Sequence, residues 1–169
     1  MIRIRDAEFS DIKTLSLLAQ KTYMEAFGHS FQPEDLKVHL STHLSEESFR
    51  KTLQVDKVLV AVYGKKIIGF VQFGSENDGE DELKKDWELK RLYVQQENQN
   101  NGIGSRLMDL ALNQMKEYQV KRVFLDVWEQ NPRAILFYQR FGFEVVGKRK
   151  FEVASGAETS ADLIMVLSI

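Results

Sequence analysis

At 169 residues, with 43% hydrophobic, 28% charged and 11% aromatic content, the chain has the composition of one ordinary globular domain spanning residues 1–169, not of a disordered or fibrous polymer. Twenty-three lysines and arginines against 25 acids leave a net charge of −2, too balanced for phosphate-backbone binding, so nucleic acid is not expected as a partner. The lack of cysteine excludes disulfides, thiolate metal sites and a cysteine nucleophile, and the lack of a long apolar run or secretory leader predicts a cytoplasmic protein with no membrane partner.

Ile2 and Ile4 alternating with Arg3 and Arg5 predict a first strand. Ser10 is the expected cap of an amphipathic helix that carries Ile12, Leu15, Leu18, Ala19, Tyr23, Ala26 and Phe27. Pro33 with Glu34 and Asp35 opens a second helix, and Ser45 with Glu46 and Glu47 opens a third. Val58–Tyr63 and Ile67–Phe73, joined at Gly64, read as a hairpin buried on both faces. The segment from Ser75 to Asp86 holds six acids and two lysines and is expected to be a solvated loop. A strand over Trp87–Val94, a helix over Gly102–Tyr118 and a strand over Arg122–Trp128 follow. Asn131-Pro132 then opens a short helix closed by Gly142, and strands over Phe143–Phe151 and Ala161–Leu167 flank a loop at Ala154–Ser160. The order implies an α/β (α+β) chain with helices packed on a mixed sheet.

Two segments carry chemistry. In Gln99-Asn100-Asn101-Gly102-Ile103-Gly104-Ser105, glycines between a strand and a helix let several N–H groups converge at a helix amino end, which suits an anion such as pyrophosphate. A ligand-free glycine turn would use the same residues, and neither the dinucleotide glycine pattern nor the Gly-Lys-Ser/Thr phosphate loop is present. In the second segment, Asn131 to Phe143, Asn131 as cap, Pro132 at the first position and Gly142 at the end describe a helix whose aromatics are core. That description leaves open why a tyrosine stands at position 138.

Taken together and in this order, Gln-x-x-Gly-x-Gly and Asn-x-x-Ala-x-x-Phe-Tyr-x-x-x-Gly-Phe resemble the GNAT superfamily of N-acetyltransferases. Thr22-Tyr23 to Phe27, Pro33-Glu34, Val127-Trp128-Glu129 and Asp162-Leu163-Ile164-Met165 are most similar to the PaiA-type spermidine/spermine N-acetyltransferases. The resemblance implies a mostly antiparallel mixed sheet of about seven strands with helices on both faces. It also implies acetyl-CoA as co-substrate. Backbone groups of Leu92, Tyr93 and Val94 would hold the acetyl and pantetheine arm, Gln99, Asn100, Asn101, Gly102, Ile103, Gly104 and Ser105 would wrap the pyrophosphate, and Asn131 would touch the pantetheine. Tyr138 would reach the sulfur and protonate the departing thiolate. Glu88 matches a position used for a base, and also suits a partner for Arg91. Tyr23, Phe27, Phe31 and Glu88 are the expected acceptor contacts, with Glu25, Glu34 and the acidic loop offering charge. Lys90 is a departure, because a cation on that strand would repel a polyamine.

The expected activity is therefore acetyl transfer to a small amine, with a polyamine such as spermidine or spermine leading, by direct attack. Acetylation of protein N-termini or lysines, or a non-catalytic acyl-CoA sensor on the same fold, are the alternatives. His39 and His43 lie one helical turn apart with His29 nearby, but Leu40 stands where a His-Glu-x-x-His site needs glutamate, so no metal is expected. No Gly-x-Ser-x-Gly elbow offers a serine nucleophile. A homodimer through the last strands stays open.

Overall fold

The computed structural model describes residues 1–75, 85–152 and 158–169. Chain order is β1 (Ile2–Asp6), α1 (Ile12–Phe27), α2 (Pro33–His43), α3 (Glu46–Val55), β2 (Lys57–Tyr63), β3 (Lys66–Ser75), β4 (Asp86–Val94), α4 (Ile103–Glu117), β5 (Arg122–Trp128), α5 (Pro132–Arg140), β6 (Glu144–Glu152) and β7 (Glu158–Ser168). The strands form one seven-stranded sheet in the order β1-β2-β3-β4-β5-β7-β6. Every neighbouring pair is antiparallel except β4 and β5.

Burial on both faces explains why β2 and β3 are near-continuous apolar runs, since helices cover each side of the hairpin. On one face α4 sets Ile103, Leu107, Met108, Ala111 and Met115 against Leu59, Ala61, Val71, Phe73 and Val123. On the other, α1 and α3 set Leu15, Leu18, Ala19 and Phe49 against Val58, Val60, Val62 and Phe70. Val58 and Leu59 thus alternate between two cores, as the pleat requires.

The sequence cues for the helix starts hold at α2, α3 and α5. Pro33 and Pro132 occupy first-turn positions, and Ser45 Oγ accepts the Ser48 N–H at 3.1 Å. Two boundaries differ from expectation. Ser10 does not cap α1: a short turn at Phe9–Asp11 precedes it, in which Asp11 Oδ2 accepts the Glu8 N–H at 2.8 Å while Arg5 grips the same carboxylate at 2.7 Å. A longer-range ion pair thereby decides which polar residue takes the end of the helix. The last strand starts at Glu158, not Ala161, because its backbone pairs with β6 as far as Glu152. Most of the acidic segment, residues 76–84, lies outside the described residues. Asp86, its last acid, accepts from Arg122 Nε at 3.0 Å.

Candidate active site

The site starts from a fault in the sheet. β4 and β5 pair only over Asp86–Arg122, Trp87–Val123 and Glu88–Phe124, and beyond these the strands diverge. Every second residue of an antiparallel ladder turns its N–H and C=O away from its partner, so past Glu88 such groups of β4 face a cleft instead of a strand. β4 also carries a bulge: Gln72 opposes Arg91 and Phe73 opposes Leu89, which leaves Lys90 as the extra residue. Trp87, Leu89, Leu92 and Val94 pack on the α4 face, whereas Tyr93 packs on the α1 face.

A cleft of about 1060 Å³ follows this divergence to the start of α4. Leu92, Tyr93, Val94, Gln99, Asn100, Gly102, Ile103, Gly104, Ser105, Asn131 and Tyr138 all line it, and Asn101 does not. Gly102 caps α4 at φ +72°, and a Cβ there would meet nothing within 4 Å. The conformation needs glycine while the space above it stays open. At Gly104 a Cβ would meet the Phe137 ring at 3.7 Å, so this glycine faces α5. Gln99 Nε2 donates to the Val94 carbonyl at 3.0 Å, and Arg133 on α5 donates to Gln99 Oε1 at 3.0 Å and to Asn100 Oδ1 at 2.6 Å. Asn131 Oδ1 accepts the Ala134 N–H at 3.2 Å, which ends β5 and starts α5 at the rim. Thr22 of α1, to which the sequence assigns no role in the site, also lines the cleft. Its Oγ1 is the one buried side-chain polar atom among the described residues without a hydrogen-bond partner.

Tyr138 stands between Phe137 and Phe143, with ring centroids 5.4 and 5.9 Å away. Burial, with Tyr93 adding to it, pushes its phenol pKa well above 10, so the hydroxyl keeps its proton at any physiological pH.

A second cavity of about 530 Å³ opens on the α1 face and shares Phe27, Lys90, Arg91, Tyr93, Asp126, Trp128 and Gln130 with the cleft. Its walls are aromatic. Tyr23 stacks on His39 at 4.5 Å and packs on Phe27 at 4.8 Å, and Phe27 meets the edge of Trp128 at 5.6 Å. Phe31 closes the side, 5.9 Å from Tyr23. Burial, with His43 and Arg91 nearby, lowers the His39 pKa to about 4, so the ring is a neutral wall at pH 7.

The charges differ from those expected. Lys90 is engaged by Asp56 at 3.0 Å, and Gln72 Nε2 donates to the same carboxylate at 2.6 Å. Arg91 donates to Gln72 Oε1 and to the His43 carbonyl, both at 2.9 Å. The carboxylates lining this cavity are Asp126 and Asp162. Burial, with Asp126 beside it, raises the Asp162 pKa to about 6, partly opposed by Arg149, which pairs with Asp126 at 3.4 Å. Glu88 lines neither cavity, nor does Glu34, and Glu25 lines the larger cleft. Asp126 was readable as the residue between Leu125 and Val127 that must face away from the α4 core. Asp162 comes beside it only through the Trp128–Asp162 register of β5 and β7.

Among the described residues no helix is long and apolar enough to cross a membrane. A sequence model of the acetyltransferase (GNAT) family matches residues 18–143. An uncharacterized N-acetyltransferase of Mycobacterium tuberculosis is 28% identical over 93% of this chain and 97% of its own length. A spermine/spermidine N(1)-acetyltransferase of Bacillus subtilis is 32% identical over 92 residues, which are 53% of this chain and 60% of that protein. Among solved structures, the PaiA N-acetyltransferase from Thermoplasma acidophilum in complex with coenzyme A superposes with a TM-score of 0.83 at 23% identity, covering 100% of this chain and 99% of that one.

Proposed function

This chain belongs to the acetyltransferase (GNAT) family, and on that premise we propose that it moves an acetyl group from acetyl-CoA to a small cationic amine, with polyamines the leading acceptors. The observation that carries the reading is the meeting of the two cavities at Tyr93 and Trp128, where β4 leaves β5. One cavity has the form of a slot for an extended anionic cofactor, and the other that of an aromatic box with carboxylates.

The residues of the larger cleft fit acetyl-CoA. Gly102 leaves open space over the α4 amino end, and Thr22 offers an unpaired hydroxyl to an amide-bearing arm. A buried hydroxyl without a partner costs about 1–3 kcal/mol, which a bound amide would recover. When bound, acetyl-CoA supplies the thioester carbonyl that the amine attacks. Backbone N–H groups of Leu92, Tyr93 and Val94 that face the cleft stabilise charge developing on the acetyl oxygen. Tyr138 holds the proton that the departing sulfur takes up, and burial keeps that proton in place until it is needed.

The second cavity handles the amine. An alkylammonium of pKa about 10.4 is neutral in on the order of one molecule in a thousand at pH 7, so the site must attract the cation and then take its proton. Tyr23, Phe27, Phe31 and Trp128 give faces to a methylene chain and its ammonium, and Asp126 and Asp162 give counter-charge. Lys90 meets that cation already paired with the Asp56 carboxylate, which offsets the repulsion expected from it, whereas Arg91, hydrogen-bonded to the neutral Gln72 amide, keeps its charge and is opposed by Asp126 and Asp162. Glu88, outside both linings, acts as base only through a chain of water. A chain without cysteine forms no acetyl-cysteine, which leaves direct attack.

The test incubates the protein with acetyl-CoA and a panel of spermine, spermidine, putrescine, a monoamine, an amino sugar and a peptide N-terminus, reading CoA release and product mass. Acetylated polyamines support the reading. Acetylation of the peptide alone moves the assignment to protein acceptors, and binding without turnover on any amine makes the chain an acyl-CoA sensor.

A further inference from the structure

The smaller cavity carries charge of both signs, and a polyamine answers only one of them. Among the described residues, the lysine, arginine and aspartate side chains in its lining are Lys90, Arg91, Asp126 and Asp162. Lys90 is matched from within by the Asp56 carboxylate, which is buried and lies outside the lining. Asp126 meets Arg149 at 3.4 Å, but that arginine is largely exposed, and such surface pairs contribute little. The charges left to a ligand are therefore the two carboxylates and Arg91.

These charges stand on opposite sides of β4. Asp126 on β5 and Asp162 on β7 lie to one side, where the sheet order and the Trp128–Asp162 register place them. Arg91 turns to the other: Nη1 donates to Gln72 on β3, Nη2 donates to the carbonyl of His43 at the end of α2, and Cζ lies 5.5 Å from the centre of the Phe49 ring on α3. Held from three sides, it is oriented before any ligand arrives, and the rest of its five N–H groups stay for an anion. None of the three contacts is a carboxylate. Burial lowers the Arg91 pKa, only partly offset by Tyr93, Asp56 and Glu88, so the folded protein carries this charge at a cost that a bound carboxylate would recover. We propose that the cavity accepts a second class of amine besides polyamines: a diamino acid, whose two ammonium groups match Asp126 and Asp162 and whose carboxylate docks on Arg91. Tyr23, Phe27 and Trp128 cover the methylenes between them. The proposal rests on the acetyltransferase reading and extends its acceptors. One ammonium gives its first proton to water, and the neutral nitrogen then attacks the thioester carbon. The C–N bond forms as the C–S bond breaks, the nitrogen loses one further proton and the sulfur gains one, giving an N-acetyl diamino acid and CoA.

Ornithine and lysine differ from putrescine and cadaverine only by the carboxylate, so kcat/KM within each pair isolates it. On the wild-type protein ornithine should exceed its carboxamide, which has the same amines without the negative charge, by about ten- to a hundred-fold, the size of a charge-assisted bond. Arg91→Gln should lower kcat/KM for ornithine by a like factor and raise it for putrescine, because a charge of the same sign as the diamine leaves the cavity. Opposite signs on one variant exclude a folding defect. Arg91→Lys should keep part of the preference for ornithine, since it restores charge without the planar fork. The carboxamide comparison needs no variant and decides the case should Arg91→Gln fail to fold. Equal turnover of ornithine and its carboxamide, or a folded Arg91→Gln variant that slows ornithine no more than putrescine, would overturn the proposal; with polyamines still acetylated, the acetyltransferase reading would stand. If no amine releases CoA, that reading fails and this proposal falls with it.

Discussion

Asp162→Asn should make the protein more stable. Burial beside Asp126 moves the Asp162 carboxyl from its ordinary 3.8 to about 6, so the folded state disfavours the charged form. At about 1.4 kcal/mol per tenfold change in proton affinity the full difference is about 3 kcal/mol, and solvent reaching this partly exposed group leaves about 1–1.5 kcal/mol. The sign follows from linkage: with the folded pKa above the unfolded one, there is no penalty below about pH 3.8, where both states are protonated, and the full penalty stands above about pH 6. The asparagine variant should therefore melt about 2–6 °C higher than wild type at pH 8, with the gap closing toward pH 4. Thermal melts of both proteins followed by circular dichroism at pH 4, 6 and 8 measure this directly. A variant no more stable at pH 8, or equally favoured at pH 4, would refute the account of Asp162 as a carboxylate held at a cost in the acceptor cavity.

Tyr138→Phe should keep acetyl-CoA affinity by calorimetry and lower turnover by about 10²–10⁴-fold, the usual range for removing a general acid; normal turnover would return Tyr138 to the core. Gly104→Asp should weaken acetyl-CoA binding strongly, because a carboxylate enters the first turn of α4 beside an anion, and unchanged affinity in the same experiment would take that turn out of the cofactor site. For a polyamine acceptor, KM for spermidine should rise between low and physiological salt, since exposed charges are screened beyond about 8–10 Å, whereas a salt-independent KM would argue for apolar capture alone.

The larger cleft was legible because its determinants are local. Gly102, Asn131, Pro132 and Gly142 each answer a backbone demand within a few residues, and such demands leave fixed spacings in sequence. The smaller cavity is assembled by pairing at a distance. Lys90 looks like an unopposed cation until a bulge and a partner 34 residues away, Asp56, are in view. Asp162 looks like one polar residue of a last strand until β7 inserts between β5 and β6 and sets it beside Trp128. Helix starts show the same division. Ser45 caps through its own first turn, whereas Arg5, reaching Asp11 from β1, moves the start of α1 away from Ser10.

The three residue pairs that join β4 to β5 have mechanical meaning. Among the described residues they join β1–β4 to the β5–β7–β6 half together with the Lys85 carbonyl, which accepts the Lys121 N–H at 2.6 Å, while the apolar layer under α4 runs beneath both. Apolar packing has no preferred direction and tolerates sliding, whereas hydrogen-bonded rungs fix an angle. The gape of the cleft is then set at Asp86–Glu88 and Arg122–Phe124, at the far end from Tyr138. The Asp86–Arg122 ion pair lies at the outer end of that seam, so the point where the strands are tied and the residues that open the cleft belong to opposite ends of the same two strands.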